Sequence, residues 1–96
     1  MTTLTQEQAD IVKSKPTREQ VELLFDIINE GKDSLITNKD IIKSNFPEMF
    51  HYLTMEFVKS MSYVYELSLT DIENFSDEEG KAYIKNKIID NVTSQL

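Results

Sequence analysis

Apolar residues along this chain fall mostly at the three-and-four spacing of helices, and only two Gly and two Pro interrupt them. Val21, Leu24, Phe25 and Ile28 make one stripe, predicting a helix from about Arg18 to Glu30. Before it, Gln6 to Lys13 reads as a short helix or loose arm, set apart by Pro16. Gly31 is placed to end the second helix in a left-handed conformation, and a short helix follows from about Asn38 to Ser44. Asn45, Phe46 and Pro47 form a break, with Pro47 positioned to open the next helix.

That helix, about Glu48 to Glu66, is the most apolar. At about 100° per residue, Phe50, Leu53, Phe57, Met61 and Val64 share one face. Tyr52, Met55 and Tyr63 lie on the other side, near Glu56 and Lys59. A helix apolar on two sides is central to a fold or faces a partner. The last helix, about Asp77 to Thr93, is expected to bury Ala82, Tyr83, Ile84, Ile88 and Val92 and to turn Lys81, Lys85 and Lys87 outward. Hydroxyl residues three before a Gln or Glu mark helix starts: Thr5 with Gln8, Thr17 with Gln20, Thr70 with Glu73, Ser76 with Glu79. The pattern predicts an all-α chain with four main helices: an arm or short helix over 1–16 and a helical domain over 17–96.

Composition narrows the chemistry. With 96 residues, 40% of them hydrophobic, the chain suits one compact domain. A net charge of −7 disfavours direct binding of nucleic acid and favours a basic protein segment. From Ser60 to Gly80 there is no Lys or Arg, while Glu66, Asp71, Glu73, Asp77, Glu78 and Glu79 all occur there. There is no cysteine, so no disulfide or thiolate site. No secretory signal and no membrane span are expected, and a cytoplasmic protein is. His51 is the only histidine, too few for a zinc site and without an elbow motif for a triad. No glycine-rich phosphate loop occurs. No enzyme, no catalytic residue and no cofactor are expected. A helix-turn-helix reading of Ile36 to Met61 fails on charge, because its second helix has no Arg or Lys before Lys59.

The segment Asn29 to Asp40, NEGKDSLITNKD, resembles the binding loop of an EF-hand. Such a loop takes oxygens at positions 1, 3, 5, 7, 9 and 12 and a glycine at position 6. The resemblance places Asn29, Asp33, Leu35 (by its carbonyl), Thr37 and Asp40 as candidate metal ligands, with Ile36 at the apolar eighth position. A second loop, about 36 residues on, would put Ile72 at the matching position. The resemblance implies an EF-hand-like pair of helix-loop-helix units, similar to a single lobe of calmodulin or a myosin light chain. The departures weaken its metal chemistry. Gly31 removes a ligand, Ser34 replaces the turn glycine, Asp40 replaces the bidentate glutamate, and the second loop offers Tyr65, Leu67 and Leu69 at ligand positions. Calcium is at most optional.

What the resemblance implies is a non-enzymatic lobe gripping a basic amphipathic helix of a partner protein, largely independently of calcium. Met49, Phe50, Met55, Phe57 and Met61 would line an adaptable groove, with Glu66 and Glu73 supplying charge. Two alternatives stay open. One is an acidic helical regulator or inhibitor that occludes a basic surface of a nucleic-acid-binding protein through Glu66 to Glu79. The other is a weak calcium sensor acting through residues 29–40. A homodimer through Tyr52, Met55 and Tyr63 is a further expectation.

Overall fold

The computed structural model describes residues 2–69 and 77–96. Among them the chain forms five helices and no strand: α1 (Gln6–Lys13), α2 (Thr17–Asn29), α3 (Lys32–Asn45), α4 (Pro47–Leu69) and α5 (Asp77–Gln95). The capping pairs at Thr70 and Ser76, and the second expected loop around Ile72, lie outside the described residues. No helix of the described residues is long and apolar enough to cross a membrane.

Helix α1 starts as its sequence predicts. Thr5 accepts from the Gln8 N–H, and the Gln8 side chain accepts from the Thr5 N–H. The matching pair at Thr17 does not form, because α2 already begins at Thr17, behind Pro16. Gln20 instead donates its amide to the carbonyls of Lys13 and Lys15, closing the end of α1.

Helix α3 is longer than its apolar pattern suggests. It begins at Lys32, not near Asn38, because its buried face is largely polar: Ser34, Asn38 and Ile42 point inward. Ser34 Oγ donates to the Ile27 carbonyl at 2.8 Å. Asn38, wholly buried, accepts from the Leu4 N–H at 2.6 Å and donates to the carbonyls of Thr2 and Ser34. These bonds satisfy groups whose burial would otherwise cost about 1–3 kcal/mol each. They also fasten the N-terminal arm, where Leu4 is buried and Glu30 accepts from both the N–H and the hydroxyl of Thr2. Those two bonds hold the Glu30 carboxyl below its ordinary value. Between α2 and α3 only Glu30 and Gly31 intervene. Gly31 has φ 134° and ψ −177°, a conformation essentially reserved for glycine.

Helices α4 and α5 pack along each other, and α2 lies across α5 and α3. Val21, Leu24, Ile42, Leu53, Ile88, Ile89 and Val92 form the fully buried centre. Among the described residues four ion pairs tie the helices at the rim: Lys85 to Asp26, Lys85 to Glu22, Lys87 to Glu66, and Arg18 to Asp90. The molecule measures 43 by 27 by 19 Å.

The buried side of α4 is rotated from the stripe its apolar residues suggest. Leu53, Glu56 and Tyr63 are buried, Phe50 and Phe57 half-buried, and Met61 and Val64 exposed. The polar pair explains the rotation. Tyr63 donates to Glu56, and Asn91 of α5 bridges both at 3.3 and 3.1 Å. Burial and the bond to Glu56 push the Tyr63 hydroxyl above its ordinary value. On α5, Ile88, Ile89 and Val92 are buried as a row, while Ala82 and Tyr83 are exposed, contrary to expectation.

Candidate partner-binding groove

Helices α2, α4 and α5 leave an open groove of about 520 Å³ between them. Its apolar wall is made by Phe25 from α2, Phe57 and Val64 from α4, and Ala82, Ile84 and Ile88 from α5. The rings of Phe25 and Phe57 stack with centroids 5.2 Å apart and planes 17° from parallel, a favourable offset pair. Asp26 and Glu78 stand at the rim with Lys81 and Lys85. Lys85 is engaged: it reaches Asp26 at 2.9 Å and Glu22 at 3.5 Å and lies 5.7 Å from the Phe25 ring centroid. The bond to Asp26 raises its ammonium above the ordinary lysine value. The groove therefore combines rigid aromatic anchors with a charged rim of mixed sign, suited to the apolar face of a helix.

The expected partner-binding residues scatter. Phe57 lines the groove, and Met49 and Phe50 pack against the core. Met55 lies across α4 from Phe57 and is 45% exposed, while Met61, one turn on from Phe57, is 74% exposed and does not line the groove. Glu66 is held by Lys87 at 2.6 Å, and Glu73 lies outside the described residues. Tyr63, expected at a dimer contact, is buried inside the chain instead. Beside Val58 a second recess, about 470 Å³, is lined by Ile28, Leu35, Thr54 and Phe57.

Residues 29–40 do not form a twelve-residue loop. Asn29 ends α2, while Asp33, Leu35, Thr37 and Asp40 all belong to α3. A helical carbonyl such as that of Leu35 faces the N–H four residues on, and side chains at 33, 37 and 40 run along one face instead of converging. The reason is local: Ser34, where a calcium loop turns on glycine, is buried and bonded to Ile27, and the helix continues through it. Ile36 sits mid-helix and 64% exposed, and its expected mate Ile72 lies outside the described residues. Among the described residues no three His, Asp or Glu side chains gather as a metal cluster.

Sequence reasoning missed the groove because it is built by three helices. The clue available was Phe25, placed to meet another helix's aromatic. The buried Glu56–Tyr63–Asn91 group was also missed, since a Glu between apolar neighbours reads as a solvent position. No family model, curated protein or solved structure matches the chain.

Proposed function

We propose that this protein is a non-enzymatic binding module that holds the apolar face of a basic amphipathic helix in the groove between α2, α4 and α5. It works in the manner of a light-chain lobe, without needing calcium. The observation that carries the reading is an open groove walled by stacked Phe25 and Phe57 on a chain of net charge −7. The division of labour is physical. The rim mixes signs, so preference for a basic partner comes from the net charge acting at a distance, and affinity comes from apolar contact in the groove.

Calorimetric titration with a basic amphipathic peptide of about 20 residues, able to form a helix of roughly 30 Å, tests it. Binding of roughly micromolar strength is expected, equivalent to about −8 kcal/mol. Ala82→Arg, at an exposed position in the groove wall, is expected to weaken it at least tenfold. Binding that ignores this substitution, or no binding by the wild-type chain at millimolar peptide, contradicts the reading.

A further inference from the structure

We infer that the rim of the proposed peptide groove holds a cation seat, built by Phe25, Asp26 and Glu22 and filled by the protein's own Lys85, which an arginine of the partner helix takes over on binding. The seat rests on the groove reading and adds what the bound helix must carry. Phe25, Asp26 and Lys85 all line the groove, and Glu22 stands one turn back along α2. After Arg18, α2 has no further basic residue, so Glu19, Glu22 and Asp26 are not balanced from within their own helix. Glu22 and Asp26, four residues apart, form a like-charge pair that disfavours the helix on its own. The cation that meets both comes from α5. Lys85 Nζ lies 2.9 Å from Asp26, 3.5 Å from Glu22 and 5.7 Å from the centre of the Phe25 ring. Two carboxylates beside an aromatic ring are the elements that recognise a cationic side chain.

Lys85 holds this place weakly. Its side chain is a third exposed and those of Glu22 and Asp26 about half, and ion pairs in such contact with water contribute little. Once displaced, its ammonium returns to water. Arginine suits the seat better than lysine, because its planar guanidinium donates two N–H groups to one carboxylate and stacks on an aromatic face. The local charge also admits a further cation. Beside Asp26 a hollow is lined by Glu19, Glu22 and Asp26 with Lys15, so three carboxylates meet only two ammonium groups, those of Lys15 and Lys85. The net charge of −7 draws in a basic helix, the apolar wall holds it, and the seat selects arginine.

Calorimetric titration of the full chain tests the seat, with a basic amphipathic peptide whose charges are all lysine except one central arginine. On the wild-type chain, changing that arginine to lysine is expected to weaken binding about threefold, and changing it to glutamine about tenfold. Lys85→Met keeps the apolar stem and removes the competing charge, and it is expected to tighten the arginine peptide about threefold. Lys81→Met removes one charge from the same rim without touching the seat, and so controls for net charge. Lys85→Met is expected to widen the preference for arginine over glutamine, and Lys81→Met to leave it unchanged. Adding Asp26→Asn to Lys85→Met is expected to abolish the gain. Binding that is weakened by Ala82→Arg but indifferent to the peptide's arginine overturns the seat and leaves the groove standing. Equal gains from Lys85→Met and Lys81→Met, or no gain from a folded Lys85→Met chain, also overturn the seat. Failure of every peptide to bind the wild-type chain and both lysine variants removes groove and seat together.

Discussion

Helix α4 carries a buried polar group on one side and exposed apolar residues on the other. Its inner side buries a carboxyl group, Glu56, with Tyr63 and Asn91, while its outer side exposes Met55, Val58 and Met61. The inner face is possible because each polar group has a partner; among the described residues no buried side-chain nitrogen or oxygen lacks one. On the outer face Val58 and Met61 are each 74% exposed, and a contiguous exposed apolar strip marks an interaction surface more often than chance exposure does. The difference separates positions that hold the fold from positions available to another molecule.

Substitutions can break that separation in order of expected size. Leu53→Ala, at a wholly buried inner position, should cost about 2–5 kcal/mol in chemical denaturation. Glu56→Ala should cost about 1–3 kcal/mol by leaving the buried Tyr63 hydroxyl with Asn91 alone, and Glu56→Gln, which keeps an acceptor, should cost less. If Glu56→Ala proves neutral, the inner polar group is not holding the helices together. Val58→Glu should change monomer stability by less than about 0.5 kcal/mol, as at other exposed sites. A loss of several kcal/mol there would show that the outer face belongs to the core.

The arm over α3 supplies a pH test of similar kind. Glu30 is held below its ordinary carboxyl value of 4.5 by the bonds from Thr2. Its contribution is thus fully present above that value and lost as pH falls through the lower folded value. Amide exchange of the Leu4 N–H should accelerate on acidification below about pH 4.5 relative to residues of α5. Glu30→Gln should flatten this difference; an unchanged profile would remove Glu30 from the clasp.

The helices were legible where burial is apolar, as in α2 with Val21, Leu24 and Phe25 and at the start of α4 with Pro47. They were illegible where burial is polar. The inner face of α3 reads Ser34, Asn38, Ile42, so the first two turns of that helix looked like a loop and resembled a binding motif. Glu56 misdirected the facing of α4 in the same way. Those side chains are buried only because distant groups meet them: Leu4 and Thr2 for Asn38, Asn91 for Glu56. Hydrophobic periodicity carries no record of such pairings. The groove shares that origin, since Phe25 and Phe57 become one platform only when α2 and α4 pack.

The most direct test of the account is to follow the backbone amides of the isotopically labelled protein while a basic amphipathic peptide is added. The account predicts saturable shifts concentrated at Phe25, Phe57, Val64, Ala82 and Ile84, abolished by Ala82→Arg and weakened by salt, with Asp33 to Asp40 unmoved. Absence of saturable shifts at millimolar peptide, or shifts confined to α1 and α3, would contradict it.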